Sequence, residues 1–413
     1  MISWPAPFVP AVPGSPVPLQ VHDSSTGTLR PSAPGPTARL YVCGITPYDA
    51  THLGHAATYV TFDVLQRVWR DNGHHVRYVQ NVTDVDDPLL ERATRDGVDW
   101  RELAAEQIAL FGEDMTALAV LPPDDLVGVV ETIADIADDV QALVAGGAAY
   151  VVTGPEGDDV YFDLAAQPTF GMVSGWTREQ MLAVYAERGG DPDRPGKRDR
   201  LDPLLWRAAR PDEPSWDGGP LGPGRPGWHV ECSTIGIRRL GMDFDVQGGG
   251  TDLVFPHHEM SAAHAVSLTG QQPFARCYVH QAMVGLDGHK MSKSRGNLAL
   301  VSQLHRDGHD PMAVRLALLA HHYRTEWSYD DQVLADAEAR LDRWRAALSC
   351  EGGPAADATV SQVRACLSDD LRTPDALLAV DRWAEEQLAH GGPELGAPGV
   401  LARCLDALLG VRV

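Results

Sequence analysis

Apolar residues recur along the chain at two different spacings, and the change from one to the other marks its elements. Residues 38–43 (ARLYVC) form a short apolar run, which predicts a strand, and residues 44–49 carry turn-forming types. Over 51–71, Tyr59, Val60, Phe62, Val64, Leu65 and Val68 fall on one helical face. Residues 75–81 then alternate with period two, which predicts the next strand. Helical patterns follow over about 99–119 and 125–146. A strand, a helix and a strand at this spacing make the crossover unit of a parallel sheet. Residues 150–225 are dense in Gly, Pro and Asp, with a strand pattern only over 159–162, and read as an insertion between two halves of the sheet. Helix and strand resume over 227–246, and residues 274–300 hold a strand followed by a loop bearing Gly and Lys. From about Pro311 to the end at Val413 the pattern is helical and rich in Ala and Leu. The first 38 residues are Pro-rich and predict an irregular arm. The chain thus divides into an arm (1–38), a first half-sheet (39–149), an insertion (150–225), a second half-sheet (226–300) and a helical region (301–413).

Composition narrows the class. The 413 residues are 44% hydrophobic and 22% charged, ordinary for a globular protein of two or three units. No apolar run approaches the ~18 residues needed to cross a bilayer, and the N-terminus lacks the basic start of a secretory signal, so no membrane is expected and a cytoplasmic location is. Cys43, Cys232, Cys277, Cys350, Cys366 and Cys404 are scattered, which favours reduced thiols or metal ligands over a disulfide framework. The formal net charge of −23 argues against a large polyanionic partner, because phosphate contacts need basic surface.

Two short motifs carry chemistry. HLGH, from His52 to His55, lies where a helix begins, a setting in which backbone N–H groups and the helix dipole favour phosphate. Gly54 between the histidines permits close approach of a nucleotide. KMSKS places Lys290 and Lys293 in a loop, where two ammonium groups can clamp a polyphosphate. Taken singly, the first is as consistent with surface or core histidines and the second with a solvated loop. Taken together, in this order and in these settings, they resemble the two signatures of the class I aminoacyl-tRNA synthetases.

A third set of residues sharpens the resemblance. Cys43 ends the first strand, residues 227–232 (GWHVEC) open a later helix, and residues 248–259 (GGGTDLVFPHHE) follow. Together with 319–324 (LAHHYR), these are similar to the zinc-bearing segments and core of cysteinyl-tRNA synthetase. In that family two cysteines, a histidine and a glutamate hold zinc. Cys43, Cys232 and His257 match, while the glutamate position falls on Ser261. Three protein ligands leave a fourth place that a substrate thiolate can take, so the metal itself would tell cysteine from serine. Over nearly its full length the chain also resembles the cysteine ligases of mycothiol biosynthesis, including ERGGDP at 187–192 and the run from Cys43 to Ala56.

The resemblance implies a Rossmann-type α/β catalytic core with a parallel sheet, an inserted subdomain and a C-terminal helical bundle. It implies one Zn²⁺ per chain, and ATP used with Mg²⁺. The activity implied is formation of a cysteinyl adenylate and its transfer to the amine of glucosaminyl-inositol, with L-cysteine, ATP and that amino sugar as partners, no tRNA, and a monomer. His52, His55, Lys290 and Lys293 would act on the phosphates. Cys43, Gly44, Ile45, Thr46, Thr58, Asn81, Val82, Thr83, Trp228, Gly250, Thr251, Asp252 and Val284 would complete the adenylate pocket. A truncated cysteinyl-tRNA synthetase is the alternative. Against it stand the short C-terminal region and its acidic middle, with Asp369, Asp370, Asp375, Asp381, Glu385 and Glu386. A non-catalytic binding module would have no need of the two loop lysines.

Overall fold

The computed structural model describes residues 1–49, 51–286 and 298–413, with the backbone of His289 and Lys290. Lys293 and the Lys290 side chain therefore lie outside the described residues. The N-terminal arm is more ordered than its prolines predict. It holds a hairpin of β1 (Gln20–Asp23) and β2 (Thr28–Pro31), and it buries Trp4, whose indole N–H donates to the Val120 carbonyl at 2.8 Å. Asp23, buried at the hairpin, accepts from Ser25 and Arg30, satisfying a charge the arm would otherwise hide at a cost.

The first crossover runs from β3 (Thr37–Val42) through α1 (Leu53–Asp71) to β4 (His75–Val82). Next come α2 (Asp87–Asp96), α3 (Trp100–Ala117), β5 (Asp125–Gly128) and α4 (Ile133–Ala145). The helix expected over 125–146 thus gives its first four residues to a strand. Those residues, DLVG, pair with β4, and all but Asp125 are buried on the sheet, so tertiary pairing overrides the helical pattern.

The inserted stretch also departs from expectation. It is a four-stranded antiparallel sheet of β6 (Ala149–Gly154), β7 (Gly157–Phe162), β8 (Leu204–Ala208) and β9 (Gly224–Pro226), with α5 (Arg178–Tyr185) in the long β7–β8 connection. The chain then returns through α6 (Trp228–Leu240), β10 (Phe244–Gly250), α7 (Glu259–Thr269) and β11 (Ala275–Gln281). β12 (Val284–Leu286) pairs antiparallel with β13 (His289–Lys290). α8 (Val301–Arg306), α9 (Pro311–Leu319), β14 (Trp327–Tyr329), α10 (Asp331–Leu348), α11 (Asp357–Ser368), α12 (Thr373–His390) and α13 (Ala397–Cys404) complete the chain.

The central sheet is parallel throughout, in the order β11-β10-β3-β4-β5. Helices cover both faces, so its strands read as nearly continuous apolar runs. The strand order reverses between β3 and β10, and in such sheets ligands bind beyond the carboxyl ends at that point. Cys43 follows β3 and Gly250 ends β10, so the candidate residues collect there.

A buried ion cluster fastens the C-terminal helices to the half that carries the parallel sheet. Asp63 and Arg67 of α1 and Arg315 of α9 are all buried. Arg67 Nε donates to Asp63 Oδ2 at 2.7 Å, and Arg315 pairs with the same oxygen. The remaining donors reach backbone carbonyls: Arg67 those of Ala119 and Asp406, and Arg315 those of Leu118 and Leu409, at 2.6–2.7 Å. Few donors are left without a partner, which is the condition for a buried ion cluster to be tolerated.

Candidate functional site

The site is assembled on one strap of backbone. The Cys43 N–H donates to the Gly248 carbonyl, and the Thr83 N–H to the Ile45 carbonyl, both at 3.0 Å. The Gly44 N–H donates to Asn81 Oδ1 at 2.9 Å. A Cβ on Gly44 would sit 1.5 Å from the Asn81 carbonyl oxygen, so only glycine allows the strap to lie on β4.

Cys43, Cys232 and His257 come together from the end of β3, from α6 and from the turn before α7. Their ligand atoms lie within 4.8 Å of one another, and all three are buried. The two sulfurs are 3.9 Å apart, and His257 Nε2 is 3.1 Å from Cys232 Sγ. Two thiolates bound to one tetrahedral zinc at about 2.3 Å each stand roughly 3.8 Å apart. The donor set of two sulfurs and an imidazole therefore fits a zinc ion in both chemistry and spacing. Burial, and the Cys43 sulfur beside it, push the Cys232 thiol far above its ordinary range. Such a pair calls for a cation if it is to ionise.

Ser261 stands where the resemblance places a fourth ligand. Its hydroxyl lies 2.7 Å from the His257 carbonyl and 3.0 Å from the His229 carbonyl, and donates to the backbone. It is occupied as a helix tie, and among the described residues no fourth protein donor joins the three. Trp228 stacks on the His257 ring with centroids 4.4 Å apart and closes this side.

Three further histidines surround the cluster, and sequence reasoning gave none of them a role. His229 Nδ1 meets His257 Nδ1 at 3.0 Å, while His257 Nε2 is the ring nitrogen that faces Cys232. His258 Nε2 approaches Cys43 Sγ at 3.2 Å, and its Nδ1 meets His280 Nε2 at 2.8 Å. His280 Nδ1 ends on Ser24 Oγ at 2.7 Å, so the N-terminal hairpin is part of this chain of contacts. Burial depresses His229 and His258 far below the usual histidine range, and both stay neutral. The sequence signal was the adjacent HH at 257–258, but nothing local joins it to His229 or His280.

Beside the cluster opens a cavity of about 320 Å³. Of the expected residues, Cys43, Gly44, Ile45, Thr46, His52, His55, Thr58, Trp228, Gly250, Asp252 and Val284 line it. Asn81, Val82, Thr83 and Thr251 do not. Asn81 and Thr83 hold the strap from behind, and Val82 is core. Tyr48, Tyr59 and Gln281 line the cavity without having been singled out.

His52 is the N-cap of α1. Its Nδ1 accepts from the N–H groups of Gly54 and His55 at 3.1 and 3.3 Å. Two of the helix N–H groups expected to face a phosphate are thus taken by the imidazole, whose Nε2 then carries the ring proton. The His55 ring stacks on that of His52 with centroids 3.8 Å apart. The residues after the KMSKS loop are stitched alongside: the Leu53 N–H donates to the Ala299 carbonyl at 2.9 Å, and the Val301 N–H to the Thr51 carbonyl at 3.0 Å. Lys290 pairs through its backbone with Gly285, next to Val284 of the cavity wall. Both ends of the loop are therefore anchored at the pocket.

The family model described as the tRNA synthetases class I (C) catalytic domain matches residues 32–339. The L-cysteine:1D-myo-inositol 2-amino-2-deoxy-alpha-D-glucopyranoside ligase of Thermomonospora curvata is 62% identical over 419 residues, covering all of both chains. The ligase of the same description from Streptomyces coelicolor is also 62% identical, over 413 residues and all of both chains. Among solved structures, Mycobacterium tuberculosis methionyl-tRNA synthetase with methionyl-adenylate aligns with a TM-score of 0.60 at 16% identity, over 91% of this chain and 88% of its own. A leucyl-tRNA synthetase from Agrobacterium radiobacter aligns with a TM-score of 0.67 at 13% identity, over 92% and 84%. At those identities the likeness is one of fold. The sequence matches go further, and the chain belongs to the class I tRNA synthetase superfamily and, within it, to the family of L-cysteine:1D-myo-inositol 2-amino-2-deoxy-alpha-D-glucopyranoside ligases.

Proposed function

We propose that the protein joins L-cysteine to the amine of glucosaminyl-inositol in mycothiol biosynthesis, by way of a cysteinyl adenylate, releasing AMP and pyrophosphate. The observation that carries this reading is the 62% identity to ligases of that description over the whole chain. The buried Cys43, Cys232 and His257 set, with its place for a substrate thiolate, supports it.

In the first step the cysteine carboxylate attacks the α-phosphorus of ATP. Cys43, Cys232 and His257 would hold a zinc ion, which when bound supplies a site for the substrate sulfur and excludes serine by its preference for thiolate. The strap from Gly44 to Thr46 positions the cysteine, and Trp228 packs beside it. His52, its Nδ1 committed to the helix, offers Nε2–H to the phosphates, and His55 backs it by stacking. Lys290 and Lys293 would neutralise the departing pyrophosphate, and Mg²⁺ would accompany the ATP. In the second step the amine of the sugar attacks the adenylate carbonyl and AMP leaves.

A tRNA acceptor is disfavoured by the net charge of −23. We further propose a monomer working in the cytoplasm, in keeping with a chain whose described helices are none of them long and apolar enough to cross a membrane. Incubation with ATP, Mg²⁺ and cysteine, and with glucosaminyl-inositol or tRNA in separate reactions, tests the reading by mass spectrometry. The cysteinyl amide of the sugar, with AMP and without charged tRNA, is the expected product. Charged tRNA without amide would overturn it.

A further inference from the structure

A second cleft, of about 710 Å³, opens beside the adenylate cavity and shares Thr46, Tyr48 and Trp228 with it. One side is the loop from β4 into α2. The other is the inserted sheet and the 187–192 segment, whose role the sequence left unassigned. Its volume suits a ligand of one or two sugar rings. Its lining alternates carboxylates and guanidinium groups, the composition that meets a polyol rather than an apolar molecule.

Most of these charges are already paired. Asp87 is held by Arg207 and Arg225, Asp159 by Arg194 and Arg210, and Asp191 by Lys197 and the Tyr161 hydroxyl. Two carboxylates are not. Asp86, half-buried, accepts only the Asp87 N–H at 2.8 Å, and Glu187, exposed on the lip, makes no hydrogen bond or ion pair among the described residues. Asp86 lines the cleft from the short loop that leads from β4 into α2, of which it is the N-cap.

The 187–192 segment is built to stand where it does. Arg188 Nη1 donates to the carbonyls of Asp252 at 2.9 Å and Phe255 at 2.5 Å, fastening the turn to the backbone that leads to His257. Gly189 has φ +86°, and a Cβ on Gly190 would lie 2.5 Å from the Tyr185 ring. The segment thus couples the inserted sheet to the zinc-ligand turn and presents Glu187 to the cleft.

We propose that this cleft is the acceptor subsite, with Asp86 holding the ammonium group of the amino sugar and taking its proton, and Glu187 binding hydroxyls of the distal ring. The proposal rests on the ligase reading above. The ammonium gives one proton to the Asp86 carboxylate, and the freed nitrogen pair attacks the adenylate carbonyl. The C–N bond forms, and the bond from the carbonyl carbon to the oxygen that bridges to phosphorus breaks. AMP departs with that electron pair, and the second nitrogen proton goes to solvent as the amide forms. Burial pushes the Asp86 carboxyl up to about 6, which brings its basicity toward that of the amine it serves.

The test uses the full enzyme and reads the two half-reactions separately. Asp86→Asn should slow single-turnover transfer from enzyme-bound cysteinyl adenylate to glucosaminyl-inositol by about 100-fold or more. Cysteine-dependent ATP–pyrophosphate exchange should stay within about threefold of the parent. Glu187→Gln should raise the acceptor KM by roughly tenfold at unchanged kcat, the loss of about one charge-assisted hydrogen bond. Transfer at the parental rate in Asp86→Asn, or exchange lost as fully as transfer, would overturn the proton role. An unchanged acceptor KM in Glu187→Gln would overturn the subsite. Should Asp86→Asn fail to melt cooperatively, the exposed Glu187 decides alone. A parent that makes no amide with the sugar would sink the ligase reading, whereas a parent that makes it with both variants indifferent sinks only the cleft.

Discussion

A Cβ placed on Gly44 meets the Asn81 carbonyl oxygen at 1.5 Å, so Gly44→Ala must lift the strap that carries Cys43 off β4. The variant is expected to lose cysteine-dependent pyrophosphate exchange by more than about 100-fold, since misplacement by an ångström costs that much. Its melting temperature should also fall, which differential scanning calorimetry would register. Cys232→Ala removes one of three donors and should lose both metal, by mass-spectrometric metal analysis, and cysteine activation. A variant that keeps full activation would contradict the assignment. At this scale the sequence revealed unevenly. Cys43, Cys232 and His257 were legible only through the resemblance, because they lie 189 and 25 residues apart and form no local motif. His229, His258 and His280 were not legible as a set, since only folding brings them into contact. Ser261 was read as a missing ligand, and the structure adds what it does instead.

Among the elements, α1 shows how one side chain serves two ends. His52 caps the helix with Nδ1, and the proposed contact to phosphate falls to Nε2. His52→Ala should cost about 1 kcal/mol of stability through the lost cap, and His52→Asn, a good capping residue, should restore most of it. Both should leave adenylation about 100-fold or more below the parent. Denaturant titration and pyrophosphate exchange, run on both variants, separate the two roles. Recovery of exchange by Asn would mean that capping was the whole contribution. The helix and the flanking strands β3 and β4 were readable from hydrophobic period. The inserted sheet was not: β6, β8 and β9 are short and set among Gly, Pro and Asp, and the sheet gains its strand character from pairings as distant in sequence as Val160 with Trp206. β5 was hidden for a similar reason, being four residues that make sense only against β4.

Over the whole molecule, the catalytic half and the C-terminal helices meet at Asp63, Arg67 and Arg315. Burial alone would raise the Asp63 carboxyl, but the two guanidinium groups override it and hold it below the usual carboxylate range. A carboxyl depressed in the folded state adds stability that is present above its unfolded value of about 3.9 and lost as pH falls through the folded one. Melting temperature should therefore drop on the acid side, and Asp63→Asn should flatten that limb while costing roughly 3–5 kcal/mol near neutrality, where two buried guanidinium groups lose their counter-charge. The interface explains why the helical region belongs to the enzyme core: its carbonyls at Asp406 and Leu409 complete a network centred on α1. All of this scaffolding serves a site whose selectivity we propose to rest on a metal with room for one more sulfur. Replacing the metal with cobalt makes that room visible, because each thiolate bound to Co²⁺ adds ligand-to-metal charge-transfer absorption. The cobalt protein should gain near-ultraviolet intensity, by about half again over its two-cysteine level, when L-cysteine is added and none when L-serine is. A spectrum indifferent to cysteine would mean that the substrate sulfur does not occupy the fourth place.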